Sequence, residues 1–219
     1  MDARTSAFYD AYATQLAATE AGRSAMFSSL QAALVPGAWV LDVGSGSGRD
    51  MAALLEHGFE ALGVEPNAAM RETALRLRPG LADRLADASL PDLGRPFYER
   101  RPQGFDAVVC SAVLMHVEPA GLTPALASLA GQLRQPVDGE TAHRRPALLI
   151  SLPEMLAERL KGDRDVDGRR FHNHEPTRVQ ALLAGWGLEL DSANRSDAAL
   201  AGTGTRWHTL LFRQSVKRR

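Results

Sequence analysis

The 219-residue sequence contains a single cysteine, Cys110, so no disulfide framework can form within the chain, and a reducing compartment is expected. Charge imbalance is missing too. The 25 Lys and Arg against 26 Asp and Glu leave a formal net charge of −1, without the domain-wide basic field that accompanies most nucleic-acid binding. No apolar run is long enough to cross a bilayer, and the N-terminal MDARTSAFYDAYATQLAATE has neither a basic start nor an apolar core. A cytoplasmic protein is expected, with no membrane partner and with nucleic acid disfavoured. Internal repeats and low-complexity tracts are absent as well, and the basic terminal SVKRR reads as a solvated end.

What is present is a well-mixed chain, 45% hydrophobic and 23% charged, with strand-like and helix-like segments alternating along it. Residues 20–34 carry apolar side chains at helical spacing up to Pro36-Gly37. AWVLDV (38–43) reads as a buried strand, RDMAALLEHG as a helix, FEALGVE as a second strand and NAAMRETALRL as a second helix. LADRLAD (81–87) is a weaker strand. FDAVVCSA (105–112) is apolar enough to be covered on both faces. PAGLTPALASLAGQL, RPALLISL (145–152), EPTRVQALLAGWG, LELDSAN and RWHTLLFR follow as helix, strand, helix, strand and strand. The expected fold is α/β: a seven-stranded, mostly parallel sheet with helices on both faces and a C-terminal antiparallel strand. One domain is expected, with a helical cap over 1–35, a core over 36–152, an inserted lid or substrate loop over 153–175, and a C-terminal helix and strand pair over 176–219.

LDVGSGSGRD places three glycines at alternate positions directly after the first strand. Ligands of such sheets bind at the carboxyl ends of the strands, where bare backbone and the next helix's free N–H groups form a cradle. A dinucleotide fingerprint needs a further glycine where the chain has Arg49 or Met51. What remains is D-x-G-x-G-x-G, Asp42 to Gly48. GVEPNAAM then ends the second strand in an acid, Glu65, and a carboxylate at that place suits the two vicinal hydroxyls of a ribose.

These motifs resemble the class I S-adenosylmethionine-dependent methyltransferases, and with LADAS and FDAVVCSAVLMHV the resemblance spans residues 8–152. The family resemblance implies a Rossmann-like fold with S-adenosyl-L-methionine as cofactor. It implies a cradle of Asp42, Gly44, Ser45, Gly46 and Gly48, with Glu65 on the ribose and Pro66 and Met70 as further cofactor contacts. Asp87 and Ala88 would meet the adenine, Ser111 the methionine part, and Arg49 either the methionine carboxylate or solvent. FYDAYA resembles the aromatic segment that covers the cofactor, where Tyr9 and Tyr12 are either ring contacts near the sulfonium or ordinary packing.

A sulfonium methyl is already activated, so the protein needs no nucleophile and the acceptor need only lose a proton. His116, just past the fourth strand, is the candidate base; the alternative is a histidine that hydrogen-bonds loop backbone. Met115, Arg170 and His172 are candidate acceptor contacts, Arg170 as a partner for an acidic substrate; for Arg170 and His172 the alternative is a solvated loop. No metal is expected, although DRDVDG begins like a calcium loop; its twelfth position is His174 and the acid comes one residue late. The loop after the fourth strand lacks the Asn/Asp-Pro-Pro-aromatic turn of base-amino methylation, and Cys110 lacks a preceding proline. The expected reaction is transfer to oxygen or nitrogen of a small molecule. RNA or protein methylation and a non-catalytic cofactor-binding regulator stand as alternatives, as does a nicotinamide oxidoreductase without its pyrophosphate turn.

Overall fold

A computed structural model describes residues 1–16 and 24–215, so part of the helix expected from residue 20 and most of the basic tail lie outside the described residues. The elements run α1 (Ala3–Gln15), α2 (Ala25–Ala33), β1 (Trp39–Val43), α3 (Arg49–Glu56), β2 (Glu60–Val64), α4 (Ala68–Leu77), β3 (Leu85–Ala86) and β4 (Ala107–Ser111). They continue with α5 (Leu122–Ala130), β5 (Ala147–Met155), α6 (Pro176–Ala184), β6 (Leu188–Ser196), α7 (Leu200–Thr203) and β7 (Thr205–Gln214). The strands form one sheet in the order β3-β2-β1-β4-β5-β7-β6, parallel except for β7, which runs against both neighbours.

Period-two alternation sorts the strand residues between two layers. Leu41, Val43, Val108, Cys110, Leu148 and Ile150 face α5 and α6 through Leu122, Leu126, Leu129, Val179 and Leu183. Val40, Ala107, Val109, Ala147, Leu149 and Leu211 face α2 and α3 through Met26, Phe27, Leu30, Met51 and Leu54. Each fully buried aliphatic contributes about 1.5–3 kcal/mol, which holds the strand ends in place for the loops they carry. Cys110 is part of the first layer, where burial pushes its thiol up and away from reactivity.

Two boundaries differ from the sequence reading. β5 continues to Met155, because Pro153, Glu154 and Met155 pair with Trp207, Arg206 and Thr205 of β7. The segment expected to be inserted from 153, and too polar for a core, therefore starts later. It also buries Phe171, which packs with Met115 and Met155, and Asp165. The weak third strand is only Leu85–Ala86, preceded by a short 3-10 turn at Pro79–Leu81.

Candidate active site

The first glycine loop leaves β1 with Gly44 and Ser45 both donating backbone N–H to the Val64 carbonyl, at 2.8 and 3.0 Å. Gly44, Gly46 and Gly48 all have φ between +55° and +75°, a region costly for side-chain-bearing residues. Gly48 caps α3, whose first turn carries Asp50 beside the positive end of the helix dipole. Asp50 also accepts from Ser24 N at 3.0 Å, holding the start of α2 to the start of α3.

Glu65 comes from the end of β2 and points back at this loop. Its Oε2 accepts from Gly46 N at 3.0 Å and its Oε1 from Asn67 N at 2.9 Å, which leaves lone pairs on both oxygens for a ligand. Burial raises its pKa, and the two backbone donors and Arg71 oppose that rise. Asn67 is a functional neighbour that the sequence reading missed. Its Oδ1 caps α4 by accepting from Met70 N at 2.9 Å, while its amide donates to Asp10 at 2.7 Å and so ties the ribose-side loop to α1.

A cavity of about 1120 Å³ lies over these strand ends. Asp42, Gly44, Ser45, Gly46, Arg49, Glu65, Pro66 and Met70 line it, together with Ala88, Ser111, Tyr9, Tyr12, His116 and Arg170. Four residues expected at the site stand outside the lining. Gly48 faces Leu81, where a Cβ would overlap the leucine side chain. The side chain of Asp87 is 66% exposed and pairs with Arg71 at 3.2 Å. Arg71 bridges it to the Glu65 backbone carbonyl, so the acid stands beside Glu65 while Ala88 takes the place in the wall. Met115 is buried against Met155 and Phe171, and His172 donates its backbone N–H to the Met115 carbonyl at 2.8 Å.

His116 makes the loop-backbone hydrogen bond that stood as the alternative to a base, and a second bond to a side chain of α1. Its Nδ1 is 2.6 Å from the Arg170 carbonyl and its Nε2 is 2.9 Å from the Tyr9 hydroxyl. A carbonyl only accepts, so Nδ1 carries the proton and Nε2 is a free base that accepts from Tyr9 O–H. Burial lowers the His116 pKa, with the Arg169 charge acting the same way and the Arg170 carbonyl opposing, so the ring is neutral at pH 7. Tyr9 is held above the ordinary phenol value, chiefly by burial.

α1 and the 156–175 segment are joined above the cavity. Asp2 pairs with Arg164 at 2.7 Å and accepts from the Thr5 hydroxyl at 2.7 Å; Thr5 in turn accepts from Arg170 N at 2.8 Å. Burial would raise the Asp2 carboxyl, but hydrogen bonds from Thr5 and Arg164 outweigh it and hold it well below the usual range. The acids of DRDVDG are engaged by the segment itself. Asp165 accepts from the backbone N–H groups of Asp167 and Arg169 and from the Arg169 guanidinium.

The cofactor's fit can be tested on the cradle itself. Asp42 is buried, and burial followed by the nearby charges of Asp50 and Glu65 pushes it up to about 8. Three acids converging on one end of a cavity suit a ligand bearing cationic groups. The Ser45 hydroxyl is buried with no hydrogen-bond partner among the described residues, a further polar group that a bound ligand would satisfy. The cavity also exceeds the usual upper range of about 1,000 Å³ for one small-molecule site, leaving room for an adenosine and a second molecule. S-adenosylmethionine fits: the glycine loop and Glu65 would hold its ribose side and Asp42 its ammonium.

Because the Asp42 proton is held more tightly folded than unfolded, the stability it contributes is complete below the ordinary carboxylate value of 3.8 and is lost as pH rises to about 8. Asp42→Asn is expected to raise the melting temperature of the ligand-free protein at pH 8 and to change it little at pH 4. Each tenfold displacement of the proton equilibrium corresponds to about 1.4 kcal/mol. Calorimetric titration of the wild type with S-adenosylhomocysteine at pH 7, in buffers of differing ionisation heat, is expected to register proton release; Asp42→Asn is expected to remove it.

Residues 41–136 match the family model described as a methyltransferase domain. No curated protein matches the sequence. Among solved structures, the chain is similar to a TehB-like SAM-dependent methyltransferase of Corynebacterium glutamicum, with 20% identity, a TM-score of 0.63, and 96% of this chain and 98% of that one covered. It is also similar to the 1,6-didemethyltoxoflavin-N1-methyltransferase of Burkholderia thailandensis, bound to its substrate and S-adenosylhomocysteine: 20% identity, TM-score 0.66, 96% and 85% covered. The magnesium protoporphyrin IX methyltransferase of Synechocystis PCC 6803, with bound SAM, shares 15% identity at a TM-score of 0.60, with 95% and 81% covered. Strand order, glycine cradle and family match agree: residues 41–136 form a methyltransferase domain, on a fold shared with solved S-adenosylmethionine-dependent methyltransferases.

Proposed function

We propose that this enzyme methylates oxygen or nitrogen of a small molecule bound in the outer part of the 1120 Å³ cavity, with His116 as base acting through Tyr9. The observation that carries the reading is the Tyr9–His116 pair: a neutral imidazole whose free nitrogen is capped by a hydroxyl, both lining the cavity. The roof made by α1 and Arg170 favours a compact acceptor over a polymer. The neighbours from Burkholderia and Synechocystis, named for a toxoflavin precursor and a porphyrin, support the same class.

Bound S-adenosylmethionine supplies a methyl group on a sulfonium whose sulfur departs as a neutral thioether. The protein's own work is orientation, exclusion of water and removal of one proton. As the acceptor's lone pair forms the new bond to carbon, its proton passes to the Tyr9 oxygen while the Tyr9 proton passes to His116 Nε2. The resulting imidazolium keeps its Nδ1–H on the Arg170 carbonyl, and solvent takes the extra proton after product leaves.

The test incubates labelled S-adenosylmethionine with a panel of phenols, N-heterocycles and amines, alongside total RNA and a protein lysate. Label is expected in a small molecule, with turnover falling on the acid side through a midpoint below the ordinary imidazole value of 6.5. Tyr9→Phe and His116→Ala are expected to lower kcat by about 10²-fold or more and to leave S-adenosylhomocysteine affinity within a few-fold. Label confined to RNA or protein would overturn the acceptor class, and unchanged kcat in both variants would overturn the base assignment.

A further inference from the structure

The face of the sheet that packs on α2 and α3 changes character where it reaches the cavity. One row across β4, β5 and β7 is aliphatic: Val109, Leu149 and Leu211, paired in register and buried. The next row on the same face is entirely hydroxylic, Ser111 opposite Ser151 opposite Thr209, and all three line the cavity. Packing does not ask for this, since the preceding row shows that aliphatics satisfy the same face. One step further, Trp207 lines the cavity beyond Thr209.

The row offers spare hydroxyl donors. Ser151 Oγ accepts from Ala112 N at 3.1 Å and lies 3.1 Å from Ser111 Oγ. Only one of the two serine protons serves the bond between them, so whichever serine donates, one O–H remains to be placed. The Thr209 hydroxyl has no side-chain hydrogen bond among the described residues and adds a second donor. The two outer strands of the row lie about 10 Å apart, two strand spacings, about the length of a fused two-ring system.

Charge is absent from this row. The cavity's Arg170 is already answered by Glu118 at 2.7 Å, with Asp2 and Asp163 within 3.8 Å. Small side chains complete the wall: Ser196, Ala198 and Ala199. Donors in a line and an indole beside them, with the lining cations Arg49 and Arg170 each already facing a carboxylate, select against carboxylates and phosphates, which would lose hydration without gaining a counter-charge.

We propose that Ser111, Ser151, Thr209 and Trp207 form the acceptor subsite, and that it takes an uncharged planar ring system bearing carbonyl or ring-nitrogen acceptors along one edge. This deepens the small-molecule reading above and rests on it. Trp207 supplies the stacking surface and the hydroxyl row sets the rotation of the ring in its plane, hence which ring atom is presented for methylation.

The experiment titrates protein saturated with S-adenosylhomocysteine with quinolin-2-one and coumarin, and with naphthalene, benzoate and phenyl phosphate as controls. Tryptophan fluorescence and calorimetry are the readouts. The two carbonyl-bearing rings are expected to bind and quench, and benzoate and phenyl phosphate to bind at least about tenfold more weakly. Thr209→Val is expected to weaken the carbonyl rings by about tenfold and naphthalene hardly at all. Trp207→Leu is expected to remove the quenching and weaken every ring. S-adenosylhomocysteine affinity is expected to be unchanged in both variants, which separates a lost subsite from a misfolded one. Preferential binding of the anions overturns the proposal, as does failure of both carbonyl rings to bind at millimolar concentration. So does indifference of ring binding to both substitutions. Failure of S-adenosylhomocysteine to bind the wild type would instead overturn the methyltransferase reading, and this proposal with it.

Discussion

Glu65→Ala is expected to raise the dissociation constant for S-adenosylhomocysteine by at least about 100-fold. Two losses combine at one position. The substitution removes a charged acceptor that would take both ribose hydroxyls, each such bond contributing about 1.5–3 kcal/mol. It also orphans the backbone N–H groups of Gly46 and Asn67, which the carboxylate satisfies at 3.0 and 2.9 Å. The second loss loosens the glycine loop before any ligand arrives, so a fall in melting temperature is expected alongside the loss of affinity. Glu65→Gln keeps one acceptor oxygen but offers an amide to the second N–H, and is expected to fall between wild type and alanine. Isothermal titration of the three proteins checks the order; equal affinities would remove Glu65 from the cofactor site.

The second large effect is expected at Gly44. Its φ of +73° costs an alanine about 1–2 kcal/mol, and the added Cβ would overlap Val113 Cγ2. Relief by moving the loop would break the paired donations of Gly44 and Ser45 to the Val64 carbonyl. Relief by moving Val113 would disturb the β4 loop that leads to His116. Gly44→Ala is therefore expected to lower unfolding stability by about 2–4 kcal/mol and S-adenosylhomocysteine affinity by about 100-fold. Val113→Ala in the same chain removes the overlap but not the backbone strain, so the double variant is expected to recover part of each loss. Additive effects in a double-mutant cycle would show that the two loops do not press on each other.

The cradle was legible because its signals are local. Three glycines after an apolar run and an acid at the end of the next strand announce both the turn and the ligand chemistry. Residues whose role depends on pairing between distant segments were not legible. The antiparallel run of the last strand was expected, but nothing near Thr209 or Trp207 in the chain says that it inserts beside β5 with Thr209 opposite Ser151. That register alone brings them to the cavity. Asp87 shows the opposite limit: the acid sits at the expected strand end, but Arg71, one turn into α4, draws its side chain outward. Asn67 carried a weak signal, as a capping residue directly after a strand-end acid and proline. Its second attachment, to Asp10 in α1, depends on how two helices dock.

The ties between α1 and the 156–175 segment give the catalytic cycle a direction. Asp2, Thr5 and Tyr9 reach from α1 and its N-cap to Arg164, Arg170 and His116, so exchange of spent donor for fresh is expected to loosen the same contacts that cover the chemistry. Sealing and turnover thus draw on one set of contacts in opposite senses. A first methylation that outpaces the steady state, with departure of the thioether product as the slow event, is the kinetic signature of such a latch.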